Sequence, residues 1–341
     1  MRDCRRLPVA IADLMRILLT GGAGYIGSVM TEVLIDAGHD ITVFDNLSRG
    51  HRDAISARAT FIEGDLVDTA HVIRTLKSGN IDAVIHLAGD ALVGESMENP
   101  GRYYRNNLIA GVSLLEAMRE AGVQPIVFSS TCAVYGVPER TPLDEAMPTR
   151  PINPYGESKL AFERALDWFH RAHGFKVVAL RFFNAAGAGT RSGERHEPET
   201  HLIPIVLEAA AGTRPSVTIF GDDYPTRDGT CVRDYIHVLD LADAHVLALD
   251  FLRRHEPRME IYNLGCGGDG HTNREVITCV ENVTGKQIET VAGPRRPGDP
   301  PVLVASSDKA RRELGWKPSR QSLKMIIESA WKWKRAQDLK S

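Results

Sequence analysis

Thr20-Gly21-Gly22-Ala23-Gly24-Tyr25-Ile26-Gly27 is the stretch whose reading decides the fold. It follows the apolar run Arg16-Ile17-Leu18-Leu19, which has the length and composition of a strand, and it opens a segment with helical periodicity. The G-x-x-G-x-x-G spacing therefore lies in a strand–turn–helix context, where each glycine has a physical reason. Gly21 permits a tight turn, Gly24 lets the backbone approach a pyrophosphate, and Gly27 allows close helix packing, while the first N–H groups of the helix and its dipole favour an anion. Without the flanking pattern the motif would be an ordinary glycine-rich turn.

Working outward, strand-like runs at Asp40–Phe44, Thr60–Glu63, Ala83–Leu87, Ile126–Ser129 and Lys176–Arg181 alternate with helical stretches near 25–37, 69–78, 101–121 and 155–173. That alternation predicts an α/β fold, a Rossmann-type doubly wound parallel sheet. After Asn184 the alternation weakens and Gly, Pro and charged residues multiply, which predicts a smaller C-terminal substrate-binding lobe with the ligand between the two parts. The expected division is 15–185 with returning segments near 236–264 for the nucleotide-binding domain, and 186–235 with 265–341 for the lobe. Ile261–Leu264 is expected to rejoin the sheet, and Asn273–Thr284 and Ser322–Lys340 to be helices. Residues 1–14 precede the first strand and read as an extension outside the fold.

Asp45 ends the second strand eighteen residues beyond Gly27, where a carboxylate binds adenosine ribose hydroxyls and repels a 2′-phosphate. The expected cofactor is therefore NAD rather than NADP, a preference that nearby Arg49 tempers. Asp65 and Leu66, after the third strand, are expected to flank the adenine, and Leu87-Ala88-Gly89 to lie near the middle of the cofactor. His86 is expected to be structural.

Bulk composition excludes more than it selects. The chain has 341 residues, 43% hydrophobic and 25% charged, with net charge -3. It offers neither a basic patch with interleaved aromatics for nucleic acid nor a run of roughly 20 apolar residues for a membrane. Five scattered cysteines without a C-x-x-C pair suit neither a disulfide framework nor a zinc site, so a cytoplasmic protein with no metal is expected.

Tyr155 and Lys159 stand at i and i+4, on one face of a helix that begins at Asn153-Pro154. Ser129-Ser130-Thr131 ends the preceding strand and brings hydroxyls to the same place. A phenol near pKa 10 is a poor base at neutral pH, but an adjacent lysine and a positive nicotinamide favour its phenolate. The expected catalytic set is Tyr155, Lys159 and Thr131, with Tyr155 as base and Thr131 orienting the substrate hydroxyl.

Together, Gly21–Gly27, Thr131 and Tyr155-x-x-x-Lys159 resemble the extended short-chain dehydrogenase/reductase superfamily. Arg181-Phe182-Phe183-Asn184-Ala185-Ala186-Gly187-Ala188, His201-Leu202-Ile203-Pro204 and the long run from Phe220 to Val238 resemble its UDP-glucose 4-epimerases. The resemblance extends from about Arg16 to Trp316. It implies interconversion of UDP-glucose and UDP-galactose through a 4-keto intermediate, with no net redox change. It implies cofactor contacts at Tyr25, Ile26, Asn46, Asn106, Ser129, Tyr155, Lys159 and Phe182 besides those above. Asn184, His201 and Tyr235 would contact substrate, Leu202 and Phe220 would line the uracil region, and Arg233, Arg296 and Asp299 would bind diphosphate or ribose. A homodimer through helices near 101–121 and 155–173 is implied as well.

Two departures and several rivals bear on this reading. Asp90-Ala91-Leu92 replaces a stretch where one branch of the family carries a lysine, which implies altered cofactor affinity. Cys132-Ala133 follows Thr131 where nucleotide-sugar dehydratases carry an Asp-Glu pair, which argues against water elimination. A simple alcohol dehydrogenase leaves the UDP motifs unexplained, and a non-catalytic binder leaves the intact Tyr-Lys pair unexplained. UDP-N-acetylhexosamine and UDP-pentose epimerases share most of these motifs. Leu303 falls where a residue gates room beside the sugar's 2-substituent, and a leucine there implies partial tolerance of an N-acetyl group.

Overall fold

The computed structural model describes residues 14–296 and 299–339, so all but Leu14 of the 1–14 extension, and Lys340 of the last expected helix, lie outside the described residues. Seven strands, Arg16–Thr20 (β1), Asp40–Asp45 (β2), Thr60–Glu63 (β3), Ala83–His86 (β4), Pro125–Thr131 (β5), Lys176–Phe182 (β6) and Met259–Leu264 (β7), form one sheet. Its order is β7-β6-β5-β4-β1-β2-β3 and every pairing is parallel. The strands read as unbroken apolar runs because helices cover both faces. One face carries helices Tyr25–Asp36 (α1) and Val238–Arg254 (α5), whose Met30, Leu34, Leu241 and Leu252 share a core with Ile17 and Leu19 of β1. The other carries Thr69–Ser78, Ala110–Ala121 (α2) and Pro154–His173 (α3), whose Val72, Leu114 and Phe162 pack on Leu18 and Phe128. Strand order reverses between β1 and β4, and a crevice opens beyond the carboxyl ends of those two strands, where open α/β sheets bind ligands.

A separate apolar cluster joins Leu202–Ala211 (α4), Asn273–Thr284 and Leu323–Asp338 through Val206, Val276, Val280, Ile326 and Ile327. Beside it Val217–Phe220 pairs with Thr290–Gly293. The packing crosses the expected division of the chain. Leu303 and Ala305 of the expected lobe pack with Leu143 and Leu160, and Ala310, Leu314 and Trp316 join the main core, where the fully buried Trp316 donates its Nε1–H to the Asp240 carbonyl on α5 at 2.9 Å. The expected single helix over 101–121 is also three pieces: Pro100–Tyr103, a π-helical turn at Tyr104–Ile109, then α2. The wider turn coincides with a buried anchor: the Asn107 amide donates to the Asp90 carbonyl and to Ser158 Oγ, each at 3.0 Å. Among the described residues no helix is long and apolar enough to cross a membrane.

Under α3 lies a buried ion pair. Arg181 on β6 grips Glu163 on α3 with Nε to Oε1 at 2.9 Å and Nη2 to Oε2 at 2.6 Å, the side chains being 5% and 3% exposed. Ser130 Oγ donates to Glu163 Oε1 at 2.5 Å, and Arg181 Nη1 donates to the Tyr135 hydroxyl at 3.0 Å. Removing one partner strands a buried charge. Glu163→Gln is therefore expected to lower unfolding free energy by about 3 kcal/mol in a urea titration; a loss under about 1 kcal/mol would show that the pair does not anchor α3.

Candidate active site

The crevice is a cavity of about 400 Å³, within the range of small-molecule sites. At one end Gly21, with φ +75°, leaves β1, and a Cβ built there would sit 2.6 Å from the Ala88 nitrogen. β1 and β4 therefore approach too closely here for any side chain. Helix α1 has Gly24 as its N-cap residue, no side-chain cap and no acidic residue in its first turn, so its leading N–H groups and dipole are left for an anion. Asp45 ends β2 with its carboxylate held by the Ala23 N–H at 2.9 Å and the Leu47 N–H at 2.8 Å. Arg49 is committed to Glu95 at 2.5 Å and lies 3.5 Å from Asp90, so it stands paired rather than free for a 2′-phosphate.

The chemical end is built by α3. Asn153 caps it, its side chain accepting from the Gly156 N–H at 2.8 Å, with Pro154 at the first position. Gly156 lies so near the turn Cys132–Tyr135 that a Cβ would stand 2.6 Å from the Ala133 carbonyl, which sets the first turn of α3 beside Thr131. Tyr155, Lys159 and Thr131 are all buried and all border the cavity. Lys159 donates to the Ser129 carbonyl at 3.1 Å and stands 4.9 Å over the Phe128 ring. Burial lowers its pKa to about 8, against the raising effect of Asp90 and Glu163. The sequence expectation that Lys159 lowers the Tyr155 phenol is not met by the protein alone. Burial pushes Tyr155 up to about 12, and only the Thr131 hydroxyl, as a hydrogen-bond partner, pulls it down.

Every expected cofactor residue borders this cavity, from Gly21, Gly24, Tyr25, Ile26 and Gly27 through Asp45, Asn46, Asp65 and Leu66 to Leu87, Ala88, Gly89, Asn106, Ser129 and Phe182. Among expected substrate residues Asn184, His201, Arg233, Asp299 and Leu303 do so too, whereas Leu202, Phe220, Tyr235 and Arg296 do not. Leu202 packs on the lobe core as the first residue of α4, and Tyr235 turns into that same core. Phe220 is covered by the Arg296 guanidinium, 4.0 Å above its ring, so each occupies the other. His201 reaches the cavity with Nδ1 already 2.9 Å from both Glu194 and Glu199, which overcome burial and raise its pKa to about 10. His86 is in the core as expected, stacked near Phe128 and bonded to Thr20 Oγ1 at 2.8 Å.

Sequence reasoning missed the cluster around Asp90. This carboxylate is 5% exposed and takes two bonds from Arg102, at 2.9 and 3.0 Å, and one from the Asn106 amide at 2.6 Å. The stretch read only as lacking a lysine thus brings its own buried charge, neutralised by Arg102 from the neighbouring helical turn. The only signal was Asp90 itself, since its partners lie on elements whose approach the sequence does not specify.

Residues 17–265 match the model of the NAD dependent epimerase/dehydratase family. The chain belongs to this family. Family membership makes NAD its cofactor, and the uncapped helix, the side-chain-free turn at Gly21 and the ribose-side carboxylate of Asp45 fit that group. The chain is 49% identical over 321 residues to a UDP-glucose 4-epimerase of Lacticaseibacillus casei, covering 94% of this chain and 96% of the relative. The solved UDP-glucose 4-epimerase of Brucella ovis in complex with NAD superposes with a TM-score of 0.90 at 44% identity, covering 94% and 98% of the two chains. That of Bifidobacterium longum in complex with NAD+ and UDP does so with a TM-score of 0.91 at 38% identity, covering 95% and 99%.

Proposed function

We propose that the chain interconverts UDP-glucose and UDP-galactose by epimerisation at C4 through a 4-keto sugar. The observation that carries this reading is that Tyr155, Lys159 and Thr131 line one cavity together with Arg233 and Asp299. NAD, when bound, supplies a reversible hydride acceptor and a positive charge. Tyr155 takes the proton of the C4 hydroxyl and later returns it, while Thr131 holds that hydroxyl in line. Lys159, cationic below pH about 8 and donating to the Ser129 carbonyl, adds positive charge to this end of the cavity. Arg233 is 12% exposed on its side chain and sits 3.4 Å from Asp299, and its guanidinium is suited to the diphosphate of the substrate. The Asn184 amide donates to the Asp234 carbonyl at 3.0 Å, which leaves its oxygen for the nucleotide.

The test is product analysis after incubating the purified chain with UDP-galactose, UDP-N-acetylgalactosamine and UDP-arabinose separately, without added NAD. C4 epimer without accumulated NADH is expected, fastest from UDP-galactose; no epimer even with NAD supplied would overturn the reading. A faster N-acetyl or pentose reaction would transfer the assignment to that sugar.

Leu303 is 8% exposed and borders the cavity beside Cys132 and Phe183, which supports its role as a gate. Leu303→Tyr adds a ring and a hydroxyl at this wall. Turnover of UDP-N-acetylglucosamine is expected to fall at least about tenfold more than that of UDP-glucose, the scale of one excluded group in a pocket. Equal losses on both would remove Leu303 from specificity.

We also propose a cytoplasmic homodimer. Cys132, Cys231, Cys266 and Cys279 are free, which suits a reducing compartment. Ile109 and Trp168, on the helices expected to pair, are 52% and 64% exposed, unusual for large apolar side chains without a partner. Sedimentation velocity on the wild type and on Trp168→Glu checks it, with a monomeric wild type as the contrary result.

A further inference from the structure

The loop leading into α4 reads Glu194-Arg195-His196-Glu197-Pro198-Glu199-Thr200-His201. Glu194, His196, Glu199 and His201 each turn one ligating atom inward, and those atoms lie within 4.8 Å of one another. Nδ1 of His196 and Nδ1 of His201 both stand 2.9 Å from Glu194 Oε1, and His201 Nδ1 is also 2.9 Å from Glu199 Oε1. The Glu194 and Glu199 side chains are only 9% and 7% exposed. Among the described residues no Lys or Arg pairs with either acid. Two carboxylates removed from water need compensating charge. A single Nδ1 proton on His201 cannot satisfy both oxygens that approach it.

A divalent cation with two neutral imidazoles balances two carboxylates. Two imidazole nitrogens and two carboxylate oxygens are a donor set for zinc, with bonds of about 2.0–2.2 Å and ligand atoms roughly 3.3 Å apart in a tetrahedron. The Thr200 and His201 backbone N–H groups hold Glu199 Oε1 at 2.7 and 2.8 Å, which orients that ligand. We propose that this loop binds one zinc-class divalent cation through Glu194, His196, Glu199 and His201. With four protein ligands the site is closed and its role is structural.

Its position gives that role content. Glu194, His196 and His201 border the cofactor cavity. The loop is tied to the segment after Asp45: Arg195 holds Asp53 at 2.7 and 2.9 Å, His51 Nε2 lies 2.8 Å from the Arg195 carbonyl, and Arg49 donates to the Glu197 carbonyl at 3.2 Å. The cation staples the loop against the ribose side of the cofactor site. This inference does not depend on which sugar the enzyme uses. It revises the sequence expectation of no metal, which looked only to the cysteines.

The test is elemental analysis of the full chain purified without chelator or metal-affinity resin, followed by Co²⁺ titration of the chelator-stripped chain. About one zinc per chain is expected, together with the visible d–d bands of four-coordinate cobalt. His196→Ala and Glu199→Gln should each weaken Co²⁺ binding by at least about a hundredfold, beyond the usual cost of losing an outer-shell partner. Cofactor dissociation from the stripped wild type should be faster and reverse on adding Zn²⁺. Wild type with neither metal nor cobalt bands would overturn the proposal and leave an imidazolium–carboxylate cluster. Unchanged bands in both variants would overturn the ligand assignment.

Discussion

Tyr155→Phe is expected to reduce epimerase turnover by about 10²–10⁴-fold, the contribution of a positioned acid–base group, while leaving cofactor binding and folding close to wild type. The substitution removes one oxygen from a buried side chain at nearly constant volume. Burial pushes this phenol up to about 12, so its protonated form dominates at neutral pH in the protein alone. Only the ionised phenol accepts a proton, so wild-type activity rises as pH approaches the phenol's pKa and falls away below it. Tyr155→Phe should lack that rising limb. Lys159→Met should keep it, because the phenol that titrates is still present and its shift comes from burial and from Thr131. Initial rates across pH, with cofactor content read separately, decide the matter. Turnover within about threefold of wild type would place the proton transfer elsewhere.

The elements easiest to read in the sequence are those fixed by local chemistry. The helix expected over 69–78 starts where expected because Asp68 accepts from the His71 N–H, and the one over 273–284 because Thr272 and Glu275 form a reciprocal capping box. The parallel sheet was legible because buried strands must be continuously apolar. The glycine turn was legible because close backbone approach leaves no alternative residue. What escaped depends on approach between distant elements. Asp90, on the loop after β4, meets Arg102 from the turn Pro100–Tyr103 and Asn107 from the π-helical turn that follows it. Leu202, Phe220 and Tyr235 could be aligned by motif, but a motif carries residue identity and not the direction of a side chain. The Glu194–His201 cluster went unread for a related reason: its spacing matches no common zinc pattern, and only the folded loop aims four ligands at one point.

Gly27→Ala tests the other decisive feature, and its effect is expected on the cofactor rather than the chemistry. A Cβ at Gly27 would stand 2.1 Å from the Gly21 carbonyl oxygen and 2.7 Å from the Gly22 Cα. Both atoms are backbone, so no rotamer change relieves the overlap and the turn from Gly21 to Gly24 must open. That movement displaces the first N–H groups of α1, the donors an anion at this helix end would use. Cofactor affinity is expected to fall on the order of a thousandfold, ~4 kcal/mol. A loss of roughly 1–3 kcal/mol of stability should accompany it. Gly24→Ala separates the two effects, since its Cβ would lie 3.4 Å from the Gly21 oxygen and the free chain should fold at wild-type stability. Any loss of cofactor in that variant then reports crowding of the ligand alone. Calorimetric titration of the cofactor-free proteins with NAD, beside their urea unfolding curves, distinguishes these expectations. A Gly27→Ala protein that binds NAD as wild type does would mean that the turn yields cheaply, and the spacing of the three glycines would then owe more to helix packing than to the ligand.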